Sequence, residues 1–197
     1  QVTLNKSIKR SRLVLGSGSP RRLELLAQIG IKPDSIRPPN IDESFIKREL
    51  PRQYCMRMAR QKSDAIDIQD DEVLLTADTI VSMGRKIIGK PQTETQAREF
   101  LSMMSGRRHK VITSVGVKYQ DSYLDRCVIS TVKMKRISNN DLEAYISEGD
   151  WRGKAGGYGL QGSAATFVPW IQGSYSAIIG LPLAETSALL AAVGLLS

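Results

Sequence analysis

The chain has 197 residues, of which 41% are hydrophobic and 24% charged, and it carries a net charge of +8. That length suits one domain or two small lobes around a real core, and no apolar run approaches the roughly 20 residues that a membrane span needs. Four positive charges, Lys6, Lys9, Arg10 and Arg12, crowd into the first twelve residues, which contain no acid. The modest excess left over suits a small anionic substrate. With aromatics at 6% and no basic stripe interleaved with them, a nucleic-acid surface is not expected. The basic start is followed by no apolar h-region, so a secretory signal is not expected either.

In chain order, Leu13-Val14-Leu15 reads as a short strand that runs into Gly16-Ser17-Gly18-Ser19-Pro20-Arg21-Arg22. Ser19 suits a helix cap and Pro20 the first helical position, which predicts a helix over residues 20–29, stopped by Gly30. Two arginines in a first helical turn oppose the usual preference for acids there. The conflict is relieved if an anion, most simply a phosphate, sits among the free N–H groups of this turn.

Residues 31–50 read as irregular, with Pro33, Pro38, Pro39, Asn40 and the acidic pair Asp42-Glu43. Residues 51–66 read as a second helix with an apolar stripe at Tyr54, Cys55, Met58, Ala59, Ala65 and Ile66. Residues 73–82 form a near-continuous apolar run, the pattern of a strand buried on both faces. Gly84 turns the chain into a short strand ending at Ile88, and Gly89-Lys90-Pro91 is a loop. Thr93 and Gln96 form a capping-box pattern that opens a helix to about residue 104, ended by Gly106.

Residues 110–119 and 124–137 read as an antiparallel hairpin joined at Gln120-Asp121-Ser122. A short helix at 139–147, a glycine-rich stretch at 153–163, a hairpin at 164–179 turning at Gly173, and a last helix at 183–193 complete the chain. Helices alternating with strands and hairpins predict an α/β fold. Its mixed sheet would be bent or split into two lobes around a central cleft and flanked by helices. Cys55 and Cys127 are expected as free, buried thiols in a reducing compartment, and with His109 they are too few for a zinc site.

Several residues break their local pattern. Lys62 falls on the apolar stripe of the second helix, where a charge must be paired or reach a polar cleft. Asp78 interrupts an apolar strand, where a carboxylate is costly unless it is paired or binds metal. It reads as a general base or metal ligand at the carboxyl edge of the sheet. Glu43 gains meaning if the fold brings it near Asp78, since Mg²⁺-like cations bind through one or two carboxylates together with substrate phosphates. Lys90 is a further stranded cation. In Lys154-Ala155-Gly156-Gly157-Tyr158-Gly159-Leu160-Gln161-Gly162, glycine density suits a tight loop against a ligand. There Tyr158 is able to stack and the Gln161 amide to read a base edge. Cations, clustered carboxylates and a phosphate cradle are what phosphoryl transfer needs, although no GxxxxGK[ST] or GxGxxG sequence is present.

Together these segments resemble the Maf family of nucleoside triphosphate pyrophosphatases. The resemblance rests on Ser17 to Arg22, Ala59-Arg60-Gln61-Lys62, Ala77-Asp78-Thr79-Ile80-Val81, Gly89-Lys90-Pro91, Lys154 to Gly162, and Gly180-Leu181-Pro182-Leu183. It leaves residues 1–12 as a basic arm, read from their charge alone, and implies a single catalytic domain over 13–197, with two lobes like those of the inosine triphosphate pyrophosphatases. It also implies hydrolysis of a nucleoside triphosphate to the monophosphate and pyrophosphate by metal-assisted attack of water at the α-phosphorus. Tyr158 and Gln161 point to the branch that acts on dTTP and UTP, with modified pyrimidine nucleotides as an extension.

By position, Asp78 matches the family's proton acceptor, and Arg21, Thr79 and Gln161 match positions tied to substrate choice. Ser17, Arg22, Glu43, Lys62 and Lys90 match other cleft residues, and Ser19 and Lys154 complete the expected binding set. Glu43 and Asp78 would hold a divalent cation (Mg, Mn or Co), and whether Asp78 is base, ligand or both is open. A cytoplasmic homodimer is implied as well. Gly153, Thr76 and Ser63 depart from the family's usual acid, glycine and alanine. The rival readings are a 7-methyl-GTP pyrophosphatase and a non-catalytic nucleotide- or nucleic-acid-binding regulator of cell division.

Overall fold

The computed structural model describes residues 11–196. Lys6, Lys9 and Arg10 of the expected basic arm lie outside them. Arg12 is already sheet: it opens strand β1 (Arg12–Leu15) and its guanidinium pairs with Asp71 at 3.1 Å.

The chain then runs through α1 (Pro20–Gln28), β2 (Ser35–Ile36), α2 (Pro51–Asp64), β3 (Glu72–Met83), β4 (Lys86–Ile88) and α3 (Glu94–Met104). Next come β5 (Arg108–Tyr119), β6 (Ser122–Lys133), α4 (Asn139–Glu148), β7 (Trp170–Gln172), α5 (Tyr175–Ile179) and α6 (Leu183–Ala192). The seven strands make one mixed sheet in the order β2-β1-β3-β5-β6-β7, with β4 also on β3. β1 is parallel to β2 and β3; every other pairing is antiparallel.

β3 organises the molecule. Along one flank β5 pairs with it from Val73 to Ser82. On the other flank β1 covers Glu72 to Leu75 and β4 covers Val81 to Met83, so among the described residues the stretch from Thr76 to Ile80 has no strand on that flank. Two apolar cores meet at this gap. Val73, Leu75 and Ala77 pack with Leu25, Leu26 and Leu190 of α1 and α6. Val81 packs with Leu101, Met104 and Tyr145 of α3 and α4. Asp78 and Thr79 lie between these two cores. Asp78 is thus in the middle of β3, not at its carboxyl end. Its parallel neighbour β1 ends three residues earlier, beside Leu75, and the loop leaving β1 lines the same cleft as Asp78.

Other expectations need correction. The 164–179 hairpin does not form. A 3-10 turn at Ser163–Phe167 leads into β7, which pairs with β6, and α5 follows Gly173. The missed signal is Ser174, whose hydroxyl accepts from Ala177 N at 3.1 Å and starts a helix as an N-cap. β6 ends at Lys133, not 137, because Met134 N turns to Arg107 O and Lys135 N to Phe167 O. The irregular segment 31–50 contains β2, and Ala65 of the expected stripe is exposed beyond the end of α2. Only half of the Thr93 capping box forms: Thr93 Oγ1 accepts from Gln96 N, whereas the Gln96 amide oxygen takes Gln92 N. Both cysteines are free; Cys55 is buried and Cys127 half-buried.

Candidate active site

The loop leaving β1 enters the gap beside β3, tied by Gly16 N to Leu75 O at 2.8 Å. A Cβ on Gly16 would lie 2.7 Å from Thr76 Cγ2 and 2.8 Å from Ile66 Cδ1. This glycine is therefore demanded by packing against the core as well as by the cleft. Ser17 Oγ accepts from Ser19 N at 3.2 Å and from Arg22 Nη1 at 3.1 Å. Ser19 occupies the cap position of α1, but its side chain makes no capping bond, which leaves first-turn N–H groups without a side-chain cap among the described residues.

The two arginines differ in their restraint. Arg22 spends all three nitrogens on the protein: Nε on Gly180 O at 2.8 Å, Nη1 on Ser17 Oγ, and Nη2 on Thr79 Oγ1 at 3.3 Å. Burial pulls its pKa below the ordinary value, and Asp78 opposes that pull. Arg21 has only a long contact, Nη2 to Gly153 O at 3.5 Å, and burial lowers it against the opposing charge of Asp150. Two partly desolvated guanidinium groups at one helix N-terminus favour an anion there.

Opposite them, α2 and β3 set the acid–base cluster. Cys55 Sγ donates to Asp78 O at 3.3 Å and Thr76 Oγ1 to Ala59 O at 3.0 Å, which locks the helix onto the strand. Lys62 then reaches Asp78 Oδ1 at 2.5 Å and Glu43 Oε1 at 3.1 Å. The Lys62 and Asp78 side chains are each 11% exposed and Glu43 48%, so the cluster opens towards solvent on the Glu43 side. Thr79 shares a 2.9 Å hydrogen bond with Thr113, whose hydroxyl also donates to Ala177 O at 2.6 Å.

These groups line one cleft of about 400 Å³. Of the expected residues, Ser17, Ser19, Arg21, Arg22, Glu43, Lys62, Asp78, Thr79, Lys90 and Lys154 all line it. Gln161 does not: it is exposed and lies beyond Gly159, the last lining residue of the glycine-rich segment. Lys90 is exposed on the loop after β4, whereas Lys154 is held back by the Asp150 carboxylate and by Asp150 O at 2.5 Å. Five cationic side chains therefore face two carboxylates, a balance suited to a polyphosphate.

Three features were not read from the sequence. The Gly180 carbonyl orients Arg22, Asp150 tethers Lys154 from four residues earlier in the turn after α4, and Tyr158 does not stand free to stack. Its hydroxyl lies 2.6 Å from His109 Nε2, and the side chain is buried. Only the i,i+4 spacing of Asp150 and Lys154 left a trace in the sequence. A second pocket of about 230 Å³ adjoins the cleft, sharing Glu43, Asp78, Thr79 and Lys90 and adding Phe45, Tyr54 and Gln92. Among the described residues, no group of three or more His, Cys, Asp or Glu could hold a metal, and no helix is long and apolar enough to cross a membrane.

Comparison with known proteins bears on this arrangement. A dTTP/UTP pyrophosphatase of Roseobacter denitrificans is 57% identical over 92% of this chain and 96% of its own length. One from Ruegeria sp. is 57% identical over 92% and 94%. A nucleoside triphosphate pyrophosphatase of Anaplasma marginale is 51% identical over 93% and 94%. A HAM1 protein of Coxiella burnetii is similar in structure over 64% of this chain and 74% of its own, at 13% identity and a TM-score of 0.44, a likeness too low to carry an argument. The family described as Maf-like protein matches residues 12–193, from the first residue of β1 to the residue after α6, and the chain belongs to that family.

Proposed function

We propose that this protein hydrolyses nucleoside triphosphates, dTTP and UTP among them, to the monophosphate and pyrophosphate. The observation that carries the reading is one cleft in which a buried Lys62–Asp78 pair, extended by Glu43, faces an arginine-bearing helix N-terminus. The names of the relatives support the same substrates.

The division of labour follows from how firmly each group is held. Arg22 is fixed by three bonds and acts as a preset positive wall. Arg21 and Lys90, more loosely held, close on the phosphates of the leaving pyrophosphate and offset its growing charge. Asp78 takes the proton of the water that attacks the α-phosphorus as the bond to the leaving pyrophosphate breaks. For that, Lys62 must loosen its hold on Asp78, and an arriving polyphosphate supplies the competing charge that draws the ammonium away. Thr79, hydrogen-bonded between Arg22 and Thr113, presents its hydroxyl at the same wall.

A divalent cation fits this donor set. Asp78 and Glu43 are hard oxygen donors in one cleft, and Asp78 Oδ2 accepts no hydrogen bond from the described residues. Two carboxylates are too few alone but match the habit of Mg²⁺ and Mn²⁺, which complete their shell with substrate phosphate and water. When bound, such an ion would lower the pKa of water and neutralise phosphate charge. A homodimeric, cytoplasmic enzyme is part of the same proposal.

The test is a panel of normal and modified triphosphates with Mg²⁺, Mn²⁺ or Co²⁺, reading pyrophosphate release. Turnover of dTTP and UTP is expected. Release from 7-methyl-GTP alone would move the assignment to that rival, and binding without turnover would favour the regulatory reading.

A further inference from the structure

The chain's single histidine lies outside the acid–base cluster, and its setting is costly. His109 on β5 is 2% exposed, with Nε2 2.6 Å from the Tyr158 hydroxyl and the rings edge to face at 5.5 Å. Its Nδ1 is buried with no partner among the described residues. No tautomer removes the deficit. If Nε2 accepts from tyrosine, the Nδ1 hydrogen is stranded. If Nε2 donates, the Nδ1 lone pair and the tyrosine hydrogen both lack partners. A buried polar group left unsatisfied costs about 1–3 kcal/mol, and a pair of phenyl rings at 109 and 158 would avoid it.

What the pair supplies is geometry. Tyr158 lines the cleft with Lys154, Ala155 and Gly159. This wall is not regular structure: Gly156 and Gly157 both have positive φ, at 69° and 78°. Besides Tyr158, it is anchored by Gly156 N on Gly89 O at 3.0 Å and by the Tyr145 hydroxyl on Gly157 O at 2.8 Å. The wall also carries Gly153 O, the acceptor that Arg21 reaches across the cleft. We propose that His109 is a positioning residue for nucleotide binding, fixing the 153–159 wall of the cleft through Tyr158. This rests on the pyrophosphatase reading above.

The test compares His109→Phe, Tyr158→Phe, the double variant and His109→Gln by thermal unfolding and by steady-state kinetics on UTP. Each single phenyl variant strands the surviving partner of the buried pair, so its melting temperature should hold or fall slightly, whereas the double variant removes both polar groups and should hold or rise. At the same time kcat/KM should fall about tenfold, mostly through KM. The double variant should be no worse than either single one, and His109→Gln, whose amide can meet the hydroxyl, should recover part of the loss. Unchanged kinetics in a stable His109→Phe protein, additive losses in the double variant, or a fall in stability with kinetics intact would overturn the proposal. If His109→Phe does not fold, Tyr158→Phe carries the same comparison. If the unaltered protein hydrolyses no triphosphate, the pyrophosphatase reading fails. Calorimetric binding of UTP to the same variants then decides the role of His109, with weaker binding sustaining it and equal binding ending it.

Discussion

Lys62 Nζ lies 2.5 Å from Asp78 Oδ1 and 3.1 Å from Glu43 Oε1, so one ammonium holds together two carboxylates that arrive from different parts of the chain. A buried pair of this kind is poor evidence for stability, since desolvation offsets much of the attraction. Its value is that the charges sit ready in the cleft that the phosphate cradle lines. Asp78→Asn keeps the shape and an acceptor for Lys62 while removing the negative charge. Pyrophosphate release should fall by about 10²- to 10⁴-fold, the usual range for a lost acid–base group, with far-UV circular dichroism unchanged. Near-normal turnover would remove Asp78 from the chemistry.

Lys62→Met separates charge from packing, because methionine replaces most of the aliphatic stem. Without the ammonium, Glu43 and Asp78 face the cleft uncompensated and repel a polyphosphate. KM for UTP should rise by about tenfold or more, and added salt should narrow part of the gap from the unaltered protein, since screening weakens the repulsion from half-exposed Glu43 more than that from buried Asp78. A variant with unchanged KM would mean that Lys62 serves only to seat α2.

Arg22→Lys is not conservative here. The guanidinium fork bonds Gly180 O, Ser17 Oγ and Thr79 Oγ1 at once. An ammonium on a flexible stem cannot reproduce that planar fork. Loss of one such charged bond, at about 1.5–3 kcal/mol, should lower kcat/KM by about 10- to 100-fold. Arg21→Lys should cost less, because Arg21 has only the 3.5 Å contact to Gly153 O. Equal effects at the two positions would contradict the difference in restraint.

Legibility from sequence tracked how far each feature's cause lay along the chain. Lys62 and Asp78 stood out because a charge in an apolar pattern is locally anomalous, and β3 was readable because it is buried nearly throughout. Whether Glu43 met Asp78 was not readable, since 35 positions separate them and the loop between β2 and α2 decides it. His109 looked uninformative for the same reason, its partner being 49 residues away. The 164–179 error was local. A β-rich composition outweighed one capping serine, although Ser174 alone was the sign of a helix. Gln161 was singled out by its amide in a glycine-rich loop and again by the family resemblance, and no physical signal in the sequence could say that Gly159 would be the last lining residue.

Gly16→Ala tests the seam between cradle and core. The new Cβ would meet Thr76 Cγ2 at 2.7 Å, Ile66 Cδ1 at 2.8 Å and Leu74 Cδ1 at 3.0 Å, all tighter than packed carbons tolerate. Overpacking of this kind costs about 1–3 kcal/mol, measurable as a lower urea midpoint. Adding Thr76→Ser removes one of the three clashes and keeps the hydroxyl bond to Ala59 O, so the double variant should recover part of the loss. Failure of any rescue would place the strain at Ile66 and Leu74 instead.

Acid sensitivity provides the last prediction. Burial brings the His109 pKa down from 6.5 to about 4, so the native ring is neutral while the unfolded one is protonated below pH 6.5. Between those limits the unfolded chain binds the extra proton, and stability must fall as pH falls. The groups around the ring supply no countercharge: Tyr158 is neutral, its own pKa pushed upward by burial, and Val132 opposite on β6 is apolar. A gap of this size corresponds to a loss on the order of 3 kcal/mol by pH 4. Glu72 acts in the same direction further down, because the Arg37 guanidinium holds its carboxyl below the usual value and that stabilisation disappears once the carboxylate is protonated. Denaturant titrations from pH 7 to pH 4 should therefore show a steady decline. In His109→Phe the part of the decline between pH 6.5 and about 4 should flatten, while the Glu72 contribution at lower pH remains. A variant whose stability follows the same slope as the unaltered protein would show that the ring is not the group being protonated.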